Sequence, residues 1–218
     1  MKKGTTMTKQ LKQYAVFLIG LFIAALGVAF STKAGLGTSP VASVPYSVSL
    51  VNQSLSFGWW MIIMSLVQIL VQVLILRKKC KPFEILVQVV VAFVYGSLTD
   101  FCCGLLQGLN PVSYPARFGL MLVGCVILGL GIWIQYKGGV AMLAGEAMNR
   151  AISQVTGKRY ENIKIFFDVF YIVVSGIISL VFLGKFAGVR EGSVIAALLI
   201  GNIIKLINKL YNRYFKKA

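Results

Sequence analysis

The sequence predicts an all-α polytopic membrane protein: six transmembrane helices forming two inverted three-helix repeats, each with an extra short helix after its first span. Three observations carry this expectation. Hydrophobic residues make up 58% of the 218, six apolar runs approach or exceed the roughly 20 residues that a helix needs to cross a bilayer, and the first half of the chain returns in the second. Only helices or closed barrels satisfy the backbone in lipid, and these runs lack strand alternation.

The first span is expected near residues 14–31. It is too long, and too uncharged at its far end, for a clear cleavage site, so it reads as a retained helix. The next segment, residues 34–50 (AGLGTSPVASVPYSVSL), is too polar for a span and too apolar for a free loop. Gly35 and Gly37 act as breakers, Ser39 as the helix cap and Pro40 as the first helical residue. Ser39, Ser43 and Ser47 then recur every four residues opposite Val41, Val44 and Val48, the pattern of a short amphipathic helix. Spans near 57–76 and 83–106 complete the first half, 1–108.

The second half, 109–218, repeats the plan with spans near 117–135, 163–184 and 192–208. An offset of 104 lays Gly20, Ile23, Leu26, Gly27, Lys33 and Gly35 over Gly124, Ile127, Leu130, Gly131, Lys137 and Gly139. An offset of 105 lays Gln88, Ala92, Gly96 and Asp100 over Ser193, Ala197, Gly201 and Lys205. The glycine and lysine register makes this a repeat; leucine identities in so apolar a chain do not. Three spans per copy is odd, so the second copy must enter the membrane from the other side. Inverted repeats of this kind recur in transporters whose site lies at the repeat interface.

The counterpart of the 34–50 segment is 138–154, with Val140, Leu143, Ala147 and Ile152 opposite Glu146, Asn149, Arg150 and Ser153. Two readings fit both segments: re-entrant helices whose broken backbone lines a polar cavity, or helices lying flat at the interface with their polar faces in water. If they re-enter, the Gly35–Ser39 turn offers free N–H groups to an anion or a carbonyl oxygen. The stripe of small residues at Gln88, Ala92 and Gly96, with its copy, is expected to form the repeat interface. Gln88 and Asn202 then reach a central cavity, unless they serve only as interhelical hydrogen bonds.

Of the 22 basic residues, Lys33, Arg117, Lys185 and Arg190 fall on one face and the other 18 on the opposite face. The latter lie at the N-terminus (Lys2, Lys3, Lys9, Lys12), at 77–81, at 137–164 and in the tail. Such an excess marks the cytoplasmic side, so both termini are expected there. The net charge of +16 then records topology and contact with anionic lipid headgroups, not nucleic-acid binding. The ionisable residues within spans are few, and two are singled out: Asp168, four residues after Lys164 and expected to pair with it, and Asp100 near the outer end of the third span.

With no histidine and four scattered cysteines, neither a metal site nor Cys-His or His-dependent serine-hydrolase chemistry is expected, a Ser-Lys or carboxylate mechanism stays open, and no cofactor is implied. The run Lys33-Ala-Gly-Leu-Gly-Thr-Ser-Pro40, with Leu55-Ser-Phe-Gly58 and Val94-Tyr-Gly-Ser-Leu-Thr-Asp100, resembles the YczE/YyaS/YitT group of bacterial integral membrane proteins. The resemblance implies a small inner-membrane protein and supplies no substrate and no catalytic residues. In the second copy Gly138-Gly-Val-Ala replaces the Gly-Leu-Gly-Thr motif, so two sites would not be chemically equivalent.

The function expected is non-enzymatic: passage of a small solute or ion, with a site drawn from Gly35, Gly37, Thr38, Ser39, Ser43, Gln88, Glu146, Asn149 and Asn202. The alternative is a membrane-embedded substrate-capture or partner subunit of a larger system. An aquaporin-like channel is disfavoured, because its half-helices follow the second and fifth spans and carry Asn-Pro-Ala. A second copy or a partner subunit is the expected protein contact.

Overall fold

The computed structural model describes residues 3–77 and 80–215, with side chains described for 10–77 and 80–213. Lys2, Lys78, Lys79, Lys216 and Lys217, which contribute to the charge asymmetry, lie outside the described residues. Eight helices occupy the rest: α1 (Lys3–Ala34), α2 (Pro40–Val51), α3 (Phe57–Leu76), α4 (Pro82–Leu105), α5 (Tyr114–Gly138), α6 (Ala144–Thr156), α7 (Tyr160–Leu183) and α8 (Glu191–Phe215). All but α2 and α6 are long and apolar enough to cross a membrane.

Local chemistry sets the boundaries. After α1 the chain reverses through Gly35 and Gly37, whose φ values of 66° and 100° are rarely open to residues with a Cβ. Pro40 then opens α2, where its missing N–H costs nothing. At the start of α3, Ser56 accepts the N–H of Trp59 at 3.3 Å. Asp100 reaches across from α4 to accept the Gly58 N–H at 2.6 Å and the Ser56 hydroxyl. A carboxylate at a helix N-terminus meets both its orphan donors and the positive end of its dipole, which accounts for an acid near the end of a span.

The centre of the molecule is the contact between α1 and α5, which run antiparallel. Phe17 lies against Gly138, Ala24 against Gly131, and Ser31 against Gly124. Glycine permits the approach: a Cβ on Gly27 would sit 2.4 Å from the Leu128 nitrogen, and one on Gly131 2.4 Å from the Ala24 nitrogen. Gln135 adds a buried hydrogen bond from its side-chain amide to the Gly20 carbonyl at 3.2 Å. Phe17, Leu21, Ala24, Ala25 and Val28 extend the core toward Met61, Val91, Tyr95 and Leu128. Around this pair, α1 packs on α4 and α5 on α8, α2 on α7 and α3 on α6, and α2 on α3 and α6 on α7.

The stripe on α4 does not behave as its spacing suggests. Gly96 packs within its own half, where a Cβ would fall 2.6 Å from the Gly58 carbonyl oxygen of α3, while a Cβ on Gly201 of α8 would meet nothing within 4 Å. Close approach between α1 and α5, across the halves, is made instead at Gly20, Gly27, Gly124, Gly131 and Gly138. The serine face of α2 also departs from an interfacial helix, since Ser43 and Ser47 are fully buried. The Ser47 hydroxyl lies 2.5 Å from that of Ser175 and 3.1 Å from that of Ser179, and Ser175 donates to the Ser43 carbonyl at 2.9 Å. That face binds α7, not water.

Candidate functional site

Both short helices direct their first residues at the same interior space. Ser39–Ala42, at the start of α2, and Leu143–Glu146, at the start of α6, line one cavity of about 160 Å³. Its walls are mainly apolar: Met61 from α3, Val91 and Ala92 from α4, Leu128 and Ile132 from α5, and Ala196, Ala197 and Ile200 from α8. The polar groups gather at α3, α6 and α7, where Ser65, Gln68, Glu146, Asn149, Lys164 and Asp168 reach the space, with the rings of Tyr95 and Tyr136 beside them.

These polar groups are only partly satisfied by one another. Tyr136 donates its hydroxyl proton to Glu146 at 2.6 Å, and the Gln68 amide donates to the Tyr171 hydroxyl at 3.0 Å. Lys164 and Asp168 form the ion pair expected from their spacing, 3.5 Å apart, with the carboxylate side chain 14% exposed. The other Asp168 oxygen, Oδ1, and Oδ1 of Asn149, a residue only 3% exposed, have no hydrogen-bond partner among the described residues. An unpaired buried acceptor is costly, of order 1–3 kcal/mol, so its presence at a cavity calls for a donor. Burial in the body of the molecule raises the Glu146 carboxyl above the usual carboxylate range; the Tyr136 hydrogen bond and Lys164 pull it back in part.

A second, more polar space of about 400 Å³ adjoins the first and shares Tyr136 with it. Gln72 of α3, Gln88 of α4, Gln135 of α5 and Arg150 and Gln154 of α6 line it, and the Oε1 atoms of Gln72 and Gln88 have no partner among the described residues. The Tyr136 to Glu146 hydrogen bond thus stands where the inner cavity meets this vestibule.

The residues singled out by sequence separate into four groups. Ser39, Glu146 and Asn149 come together at the inner cavity, and Gln88 lines the vestibule. Gly35, Gly37 and Thr38 instead pack on the start of α8. There the Thr38 N–H donates to Ser193 at 3.1 Å, Arg190 donates to the Gly35 carbonyl at 3.4 Å, and a Cβ on Gly37 would lie 2.2 Å from the Ser193 hydroxyl. Two of the turn's donors are therefore taken: the Thr38 N–H by Ser193, and that of Gly35 by the Thr32 carbonyl at 3.1 Å. Ser43 is buried against α7, and Asn202 is exposed, donating back to the Leu198 carbonyl at 2.9 Å. Sequence reasoning passed over Ser65, Gln68 and Tyr136. The signal for Gln68 was present, since Gln68 and Gln72 are amides one turn apart inside an apolar span.

A helical bundle with six bilayer-length apolar helices and a partly polar interior is a multi-pass integral membrane protein. The chain belongs to DUF6198, a family of unknown function, whose match runs over residues 11–209. It is also similar to the uncharacterized protein YyaS of Bacillus subtilis (strain 168), 27% identical over 130 residues. That match covers 57% of this chain and 61% of YyaS. It agrees with the resemblance carried by the Gly-Leu-Gly-Thr-Ser-Pro turn to a YyaS-like group. No solved structure matches the chain.

Proposed function

We propose that the protein is a transporter of a small solute or ion, built as two inverted three-helix repeats, 1–108 and 109–218, around the inner cavity. The observation that carries this reading is the meeting of the α2 and α6 N-termini in one cavity between the halves. Exchange of each helix for its counterpart (α1 with α5, α2 with α6, α3 with α7, α4 with α8) converts several packing pairs into one another, although the extensive α3–α4 contact has only a slight counterpart in α7–α8. The α2–α7 pair becomes α6–α3, α1–α4 becomes α5–α8, α2–α3 becomes α6–α7, and α1–α5 maps onto itself. An antiparallel α1 and α5 is what inversion requires, and interrupted helices meeting between repeats are a recurrent transporter design. In this reading α2 and α6 are re-entrant segments, and the cavity binds and releases a solute without catalysis.

In this reading the polar vestibule lies on the cytoplasmic side of the inner membrane, with both termini there, and the excess of basic residues in the adjoining segments supports that orientation. Arg150 lines it, and Arg77, Lys81 and Lys158 lie in the adjoining connections. The opposite side is closed by the serine contacts of α2 with α7 and by the Gly37 turn on α8, so the conformation reads as inward-facing.

A second reading, a capture or partner subunit, draws on α7 and α8, whose apolar spans are only 17% and 11% buried within the chain and leave faces for a second copy or another protein. One measurement separates the two. With Cys80, Cys102, Cys103 and Cys125 replaced, Ser65→Cys places a single thiol on the cavity wall. A transporter that alternates its access predicts modification by a membrane-impermeant thiol reagent from both faces, added separately to oriented vesicles. Modification from the outer face alone supports the capture subunit, and reactivity from neither face overturns the transporter.

A further inference from the structure

We infer that the ligand of the inner cavity is a small organic cation, an ammonium group on a short apolar body. The inference rests on the transport reading and deepens it by naming the ligand chemistry.

Charge is the first argument. The charged residues that line the cavity are Glu146, Asp168 and Lys164, two carboxyls against one ammonium, and the ammonium is engaged with Asp168 Oδ2 at 3.5 Å. The second argument is the polarity of the unsatisfied atoms. Asn149 Oδ1 and Asp168 Oδ1 are both acceptors without a partner among the described residues, and Asn149 is 97% buried by the complement of its 3% exposure. An alkylammonium supplies N–H donors and positive charge together.

Two helix N-termini would ordinarily favour an anion. Here that preference is reduced. Pro40, the first residue of α2, has no donor, and the Ala42 N–H is bonded to the Ser39 carbonyl at 3.0 Å. At α6 the first turn carries its own carboxyl, Glu146, to meet the positive end of the dipole. Tyr95 and Tyr136 border the space, and aromatic side chains attract cations. Size sets the body: apolar cavities of about 150 Å³ take one benzene-sized guest, and this one is about 160 Å³ with mainly apolar walls.

Three probes of one shape read the charge. Purified full-length protein at neutral pH is titrated with n-butylamine, n-butyrate and n-butanol, with thermal stabilisation and equilibrium binding as readouts. Butylamine should bind at least about tenfold more tightly than the other two, the factor that a charge-assisted hydrogen bond supplies. Asp168→Asn should weaken butylamine by about tenfold and leave butanol unchanged. Should loss of the Lys164 partner unfold that variant, Glu146→Gln, which keeps the ion pair, carries the same expectation. Butyrate binding as tightly as butylamine overturns the inference, as does butanol binding as tightly, no response to butylamine, or an amine response undiminished in both variants. Failure of the transport reading looks different: amine selectivity would persist while Ser65→Cys was modified from one face only or from neither.

Discussion

A carboxyl held inside a protein resists ionisation, and Glu146 shows what that costs and what it is for. Its proton is held to a higher pH in the folded protein than in the unfolded chain, because burial outweighs the help of Tyr136 and Lys164. Arg150 also lowers it, and Asp168 raises it. The folded state therefore binds more protons than the unfolded one between the ordinary carboxylate value and the raised one, so stability falls as pH rises through that window. Glu146→Gln removes the ionisation and keeps an acceptor for the Tyr136 hydroxyl. It should unfold at a higher temperature than wild type at neutral pH, with the gain vanishing in acid, where wild type is protonated too. A thermal series from acid to neutral pH checks this. A variant less stable than wild type at neutral pH would mean that the carboxylate is a net stabilising partner. Stability gained while the proposed cation binding is lost would be the usual trade at a functional site. At this scale the sequence was half legible. Glu146 and Asn149 were visible on the polar side of an amphipathic segment, but Tyr136 lies just past the span read as 117–135, and only packing shows that its hydroxyl reaches Glu146.

Helices that approach closely must leave out side-chain volume, and the chain does so most strictly between α1 and α5. Adding a branched side chain at Gly27 would drive it into the Leu128 backbone, and at Gly131 into the Ala24 backbone. Neither neighbour is a flexible side-chain end that can move aside, so overpacking here should cost more than the ~1–3 kcal/mol usual for added methylenes. Gly27→Leu and Gly131→Leu should each lose the folded monodisperse peak in detergent. Gly201→Leu, whose Cβ meets open space, should stay within about 0.5 kcal/mol of wild type. Equal loss at all three positions would mean that Gly201 packs against something in the membrane. A stripe of small residues tells where a backbone is approached but not by which helix. That is why the α4 stripe suggested a contact between the halves, when Gly96 in fact receives Gly58 and Ile62 of α3. The six spans themselves were legible, four of them to within about three residues, because length and apolarity are the physics that defines them; α1 begins well before residue 14 and α8 runs on past residue 208, where polar turns extend the helices. The start of α2 at Pro40 was legible too, since proline and the two preceding glycines each impose a local conformation.

At the scale of the molecule, the charge distribution and the repeat bear on one question, which end faces the cytoplasm. Six spans return the chain to its starting side, and inversion of the halves follows only if both termini share it. The described basic residues at Arg77, Lys81, Lys158 and Arg159 fall in the connections α3–α4 and α6–α7, whereas Lys33, Lys185 and Arg190 fall at or beside the α1–α2 and α7–α8 connections. Charge bias of this kind sets orientation during insertion. Packing adds a practical constraint that charge alone does not: Val189, in the same outer connection, is 8% exposed and would resist labelling whatever its side, whereas Asn52, Asn110 and Lys185 are exposed. In a cysteine-free background, single cysteines at Asn52, Asn110 and Lys185 should therefore react with an impermeant maleimide added outside intact cells. Cysteines at Lys81 and Lys158 should react only after the membrane is opened. Labelling at Lys158 from outside would reverse the orientation and put the vestibule on the outer face. A split within either group, such as Asn52 outside and Lys185 inside, would break the six-span count and with it the inverted repeat on which the transport reading stands.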